Sequence, residues 1–310
     1  MRLLAALGAL ALGATAVVIV GVLAHRTPGP AAATNTPAPS TTSSTETEKT
    51  DFPAPPEGAV VFSRPDGSDV LALAVVPGRD LGLQASVVDG QGKGVDGLNV
   101  SFRVGSQAAD GEQCSAGCYR ATVSSPAAPR LAEVRVARDE QTTTWRVPMP
   151  RQWPPRDASA LIERATRTFR GLRTVAVRDW LASGPGHALF SRWTLAAPDR
   201  LTYRIENGPA AVIIGNHRWD KVPGGKWEKS PQTPIHQPTP FWVSWTDARV
   251  LASTKSAWRV SFFDPKTPGW YELRIAKRSL RTLELRMHAT AHFMREVYSQ
   301  FNEPLKITPP

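Results

Sequence analysis

Asn207-Gly208 stands between two alternating runs, Leu201-Thr202-Tyr203-Arg204-Ile205 and Ala211-Val212-Ile213-Ile214. That pair dictates a β-hairpin, because both turn residues take positive φ and Asn and Gly accept it best. Gly215-Asn216 and Pro223-Gly224-Gly225 turn the chain twice more. After a less regular stretch at 231–250, alternation resumes over Ala257–Phe263, Trp270–Ala276, Leu280–Ala289 and Phe293–Phe301. Residues 156–310 are therefore expected to form a curved antiparallel half-barrel sheet of roughly nine strands. The same punctuation, 28 Pro and 23 Gly in 310 residues, runs through the whole chain. Neither residue suits a helix interior, so the chain reads as mainly β.

One helix interrupts this pattern. Pro154-Pro155 marks a boundary, and Asp157 is placed to cap a helix over 157–172. Ala158, Leu161, Ile162, Ala165 and Phe169 fall on one of its faces and Arg156, Glu163, Arg167 and Arg170 on the other, so the apolar stripe has to lie on the sheet. Upstream, residues 58–150 carry short alternating segments at Val70–Val76, Leu81–Val88, Leu98–Val104, Tyr119–Val123, Leu131–Val136 and Thr142–Val147. About six or seven strands in that length predict an immunoglobulin-like β-sandwich. Cys114 and Cys118 are the only two cysteines, and in an oxidising compartment such a pair beside a glycine turn forms a local disulfide. A zinc site would need four ligands, and residues 57–150 hold no His and no further Cys.

Leu3 to Ala24 is a run of 22 residues without a charge. At about 1.5 Å per residue it crosses a hydrocarbon core of about 30 Å, which predicts a single-pass signal anchor in the cytoplasmic membrane with the body outside. The alternative is a signal peptide cleaved after Ala24, since Val22 and Ala24 place small residues where a signal peptidase reads. Residues 1–26 are thus the address. Residues 27–57, almost entirely Pro, Ala, Thr, Ser and Glu, form a disordered tether. The formal charge of +10 is lopsided: residues 156–310 hold 24 Lys and Arg against 13 Asp and Glu. That half seeks anions, and with the body exported, nucleic acid drops out in favour of lipid headgroups or a membrane surface.

Two resemblances attach to particular residues. Val76-Pro77-Gly78-Arg79, Val87-Val88-Asp89-Gly90-Gln91-Gly92 and Gly117-Cys118-Tyr119-Arg120 follow an order that resembles the YtkA-like sandwich of CopC/CopD-type copper-resistance proteins. The copper site does not carry over, because such sites need clusters of His, Met or carboxylate, and residues 57–150 hold no His and Met149 as their one Met. Tyr203-Arg204-Ile205-Glu206-Asn207-Gly208, Ile214-Gly215-Asn216-His217-Arg218-Trp219-Asp220-Lys221, Gly224-Gly225-Lys226-Trp227-Glu228-Lys229 and the closing Tyr298-Ser299-Gln300-Phe301-Asn302-Glu303-Pro304 together resemble the LolA/LolB-like lipoprotein-carrier fold, in its LppX/LprG branch. That resemblance implies a half-barrel sheltering acyl chains. The chain departs from the branch in having no Cys after its apolar leader to carry a lipid.

With the resemblance in view, alternation nominates a lipid cavity lined by Leu201, Tyr203, Ile205, Val260, Phe262, Tyr271, Leu273, Ile275, Leu283, Leu285 and Met287. Arg204, Arg218, Lys221, Lys226 and Lys229 are the candidates for an anionic headgroup or the membrane surface. Eight of the ten Trp fall between 180 and 270, where they can pack a core or rim an amphiphile cavity. His288 and His292 have helical zinc spacing, but their neighbours read as strand, where four residues span about 13 Å. The sequence contains no G-x-S-x-G, H-E-x-x-H or Walker loop. A non-catalytic binder or carrier of lipid or acylated molecules, without cofactor or metal, is the leading expectation. An envelope sensor or interaction protein with a filled cavity and an envelope protein partner, or a copper-homeostasis accessory, are the alternatives.

Overall fold

The computed structural model describes residues 52–124 and 129–310. The expected membrane anchor at 3–24 and most of the tether lie outside them, and no helix among the described residues is long and apolar enough to cross a membrane.

Nine strands precede the helix: β1 (Val60–Asp66), β2 (Asp69–Val76), β3 (Asp80–Val88), β4 (Asn99–Val104), β5 (Gln107–Asp110), β6 (Glu112–Ser115), β7 (Cys118–Ser124), β8 (Leu131–Arg138) and β9 (Gln141–Pro148). They form two open antiparallel sheets, β1-β2-β3-β7-β6 and β5-β4-β8-β9, which share a core containing Leu71, Leu83, Phe102, Tyr119 and Val134. The sequence missed β1, because Pro65 and two acidic or basic neighbours disguise it, and the short exposed pair β5 and β6. Tyr119 fixes the loop before β4, donating to the Val95 carbonyl at 2.8 Å and accepting from the Leu98 N–H at 3.1 Å. Met149 is buried in this core.

Cys114 and Cys118 are bonded, as expected. The loop they close is so short that little chain entropy is removed from the unfolded state. Reduction is therefore expected to cost only about 1 to 2 kcal/mol, and denaturant titration with and without reductant checks it; a loss above twice that would show that the bond holds more than its own hairpin.

After the helix α1 (Ser159–Arg170) come β10 (Thr174–Ala182), β11 (Ala188–Ala196), β12 (Arg200–Ile205), β13 (Ala210–Ile214), β14 (His217–Lys221), β15 (Glu228–Pro231), β16 (Thr246–Ser253), β17 (Ala257–Asp264), β18 (Gly269–Ala276), β19 (Thr282–Ala289) and β20 (His292–Ser299). All eleven join one antiparallel sheet in the order β15-β14-β13-β12-β11-β10-β20-β19-β18-β17-β16. The Asn207-Gly208 hairpin joins β12 to β13, with Asn207 at φ 55°; Gly208, expected to share the positive φ, does not. β10 and β11, which precede the first clear alternation, and β16, which begins in the irregular stretch, take the sheet past the roughly nine strands expected. Asp157 corrects an expectation: the N-cap is Ala158, which makes no side-chain cap bond, and Asp157 stands just before it, where its carboxylate accepts the Ser159 N–H at 3.0 Å and the Ser159 hydroxyl at 3.1 Å.

Each face of this sheet is covered differently. On one face lie α1, through Leu161, Ile162, Ala165 and Phe169, and the strap 232–245 that joins edge strands β15 and β16. Trp242 on the strap meets Phe169 edge-on at 5.8 Å, Phe169 meets Tyr298 of β20 at 5.2 Å, and the Trp242 indole N–H donates to the Thr166 hydroxyl at 2.8 Å. On the outer face, Phe263, Trp270 and Phe293 pack against Val61, Val70, Ala72 and Ala74 of the first part. Strand β2 shows how one sheet can be covered on both faces. Leu71, Leu73 and Val75 point into the sandwich core while Val70, Ala72 and Ala74 point the other way, and their small side chains let the second sheet approach closely. Residues 51–310 accordingly form a single compact unit. Further along the outer face the C-terminal Ile307 packs on Ala196 and Val212, beside Trp219 and Trp227.

Candidate functional site

Cross-strand register brings the apolar candidates onto the helix-covered face in continuous rows. One runs Phe262, Tyr271, Met287, Met294, Leu181, Leu189. The next runs Val260, Leu273, Leu285, Glu296, Asp179, Ser191, Ile205. Tyr298, Val177, Trp193, Tyr203, Ala211 and Asp220 follow, then Val175, Leu195, Leu201, Ile213 and Arg218. Of the nominated cavity residues, Leu201, Tyr203, Ile205, Val260, Phe262, Tyr271, Leu273, Ile275, Leu285 and Met287 are buried. Leu283 is half-buried and sits at the register shift between Arg274 and Ile275, outside the regular alternation.

What the sequence did not reveal is the polar centre of the second row. Asp179 on β10 and Glu296 on β20 are direct Cα partners, so their Cβ atoms are about 5 Å apart. Ser191 donates to Asp179 Oδ2 at 2.9 Å, and the Trp193 indole N–H donates to the Ser191 oxygen at 2.6 Å. The Tyr298 hydroxyl donates to Glu296 Oε2. Burial raises the Asp179 carboxyl to about 6 against the pull of those donors. Burial, and then the neighbouring Asp179, raise Glu296 to about 8. Both shifts have the cause expected when carboxyls leave water in company. Among the described residues four buried side-chain atoms have no hydrogen-bond partner: Arg64 Nε, Asp179 Oδ1, Ser261 Oγ and Thr282 Oγ1. Only Asp179 Oδ1 belongs to a carboxyl.

Arg218 corrects an expectation. Placed on the exterior by its sequence neighbours, it is 7% exposed, binds Asp220 through two contacts of 2.6 and 2.7 Å, and reaches the Tyr203 hydroxyl at 3.4 Å. Asp220 stands two residues on along β14 and hence on the same face, which turns the pair inward together. Arg204, Lys226 and Lys229 are exposed and Lys221 is half-buried. Lys229 lies 5.4 Å from the Trp219 ring and Lys221 5.9 Å from the Trp227 ring.

The two histidines go separate ways. His288 Nδ1 hydrogen-bonds the Ser63 hydroxyl at 2.8 Å, and burial lowers its pKa to about 4. His292 Nδ1 lies 2.9 Å from the Thr290 carbonyl. Around Ser63 and His288, with Ser261, Glu272 and Arg286, a cavity of about 80 Å³ separates β1 from the outer face. A second, about 330 Å³, is an open groove on the outer side of β4, β5 and β8 bordered by Arg103, Asp110, Glu133 and Arg135.

No protein-family model matches the chain, and no curated protein does. Among solved structures the chain is similar to lipoprotein LppX of Mycobacterium tuberculosis. The identity with LppX is 14% and the TM-score 0.36, over 48% of this chain and 97% of the LppX chain.

Proposed function

We propose that residues 156–310 bind an amphiphile, a lipid or an acylated molecule, with its acyl chain on the helix-covered face, without catalysing a reaction on it. The body would work outside the cytoplasmic membrane, tethered through residues 3–24. The observation that carries this reading is how the apolar rows end. Leu189 closes the first row with 48% of its surface exposed, Val243 on the strap is 49% exposed, and Val222 after β14 is 51% exposed. All three stand at the same end of the sheet, since Leu189 pairs with Leu181, Val222 follows Lys221 opposite Ala210, and the Val243 N–H is held by Asp264 at the end of β17. An apolar face covered by one helix and an irregular strap, with exposed apolar groups at one mouth, offers a way in for a chain of methylenes. Each methylene buried contributes about 0.8 kcal/mol, so a dozen carbons suffice for binding even after the cost of association.

A second reading is supported by the packing itself. Phe262 and Tyr271 stack at 5.1 Å with ring planes 7° apart, and Phe169, Trp242 and Tyr298 interlock; a face filled this way suits an envelope interaction protein. Leu285→Trp separates the two. In a binder the larger ring takes the space of the acyl chain, and a fluorescent fatty-acyl probe should lose about ten-fold in affinity while the melting temperature holds. In a filled face the ring overpacks the core, at about 1 to 3 kcal/mol, and the parent protein binds no probe. The binder reading fails if no acyl species accompanies the purified protein in native mass spectrometry and the probe does not bind.

A further inference from the structure

We infer that the carboxyl pair Asp179 and Glu296 receives the amine end of the amphiphile, so that the favoured ligands carry an ammonium group rather than a carboxylate. This inference rests on the binding role proposed for the same face. Its starting point is a row that is apolar at both ends, Val260, Leu273 and Leu285 on one side and Ile205 on the other, with two acids side by side in the middle. A carboxyl in such a place is costly unless its oxygens are hydrogen-bonded.

The protein donors at the site are already assigned. The Ser191 hydroxyl hydrogen is used on Asp179 Oδ2, the Trp193 N–H on Ser191, and the Tyr298 hydroxyl on Glu296 Oε2. Asp179 is 8% exposed, and its Oδ1 is buried with no partner. Glu296 retains a proton at neutral pH but is coupled to Asp179 only through charge, with no hydrogen bond between the two carboxyls, so Oδ1 is open to a donor from outside the chain. A fatty-acid carboxylate supplies none and would add a third carboxyl to two. The buried basic side chain on the same face, Arg218 two rows away, is engaged by Asp220. An alkyl ammonium brings three N–H donors on one atom, enough to reach both carboxyls at once, and its chain can continue along the rows that end at Leu189. Charge balance favours it as well: with Asp179 raised to about 6 and Glu296 to about 8, the pair holds close to one negative charge at neutral pH.

The test ranks three ligands of equal chain length, dodecylamine, dodecanol and dodecanoate, by competition with a fluorescent acyl probe on the full-length protein at pH 7. Dodecylamine is expected to bind at least ten-fold tighter than dodecanol, because a hydrogen bond to a charged partner exceeds a neutral one, and dodecanoate weakest of the three. Asp179→Asn should bring the amine to within about two-fold of the alcohol. Ser191→Ala, which frees Asp179 Oδ2 as a second acceptor, should keep the amine preference and serves if the first variant folds poorly. Equal binding of all three, tighter binding of dodecanoate, or a preference that survives Asp179→Asn overturns the inference while leaving the binding role intact. Failure of all three to bind removes the binding role itself.

Discussion

Trp242→Ala is expected to destabilise the protein by about 3 to 5 kcal/mol, the range for removing a fully buried large aromatic. Trp242 is 1% exposed and is the point where the strap is fastened to the helix, by the ring contact with Phe169 and the indole bond to Thr166. Alanine opens a void beneath the strap and leaves the Thr166 hydroxyl without its donor. Phenylalanine at the same position keeps much of the volume and loses only the bond, so it should fall about 1 to 2 kcal/mol below the parent. Chemical denaturation of the parent and both variants decides it. A loss under 1 kcal/mol for alanine would mean that the strap does not depend on this anchor.

The second large effect is on pH dependence. Glu296 titrates at about 8 in the folded protein against 4.5 for the unperturbed group, so between those values the folded state holds a proton that the unfolded state has released. Stability from this group is present in full below 4.5 and is lost as pH rises to 8. Asp179, raised from 3.8 to about 6, acts in the same direction over a lower window. His288, lowered from 6.5 to about 4, opposes both: the unfolded state binds its proton first, so stability rises with pH across that interval. Above pH 6.5 only Glu296 remains of the three, and the protein should lose about 2 kcal/mol between pH 6.5 and 8 at up to 1.36 kcal/mol per unit. Glu296→Gln should flatten that limb and exceed the parent in stability at pH 8. Urea midpoints at half-unit intervals test this; a parent curve that is level or rising above pH 6.5 would sink it.

Legibility in the sequence followed the range of the interactions. The hairpin at Asn207-Gly208 and the apolar stripe of α1 were readable because turn chemistry and helical period act over a few residues. Alternation placed ten of the cavity candidates on one face for the same reason. Asp179 and Glu296 escaped notice because each sits alone in its own strand, in Arg178-Asp179-Trp180 and Arg295-Glu296-Val297, where a polar residue reads as solvent-facing. Only the pairing of the first strand with the last brings them together. The covered outer face did leave a sign that went unread. Phe262-Phe263, Trp270-Tyr271 and Phe293-Met294 are apolar doublets, which a strand facing water on one side does not need; both members are buried in each case.

The seam between β10 and β20 also bears on time. Strands β10 to β15 can zip as successive hairpins, and so can β16 to β20. The strand that opens the module waits for the strand that closes it, since Ala176 pairs with Ser299 and Ala182 with Phe293. A chain emerging from its amino end therefore carries β10 with one edge bare until nearly everything else has arrived, and pairings of such long sequence separation are slow to form. Through that interval Asp179 faces water, as an ordinary ionised acid, and the step that joins the halves is also the step that takes its proton balance out of solution. Folding rate should consequently depend on acidity through this one seam, and the unjoined halves, with their bare strand edges, are the species most at risk of pairing with another copy.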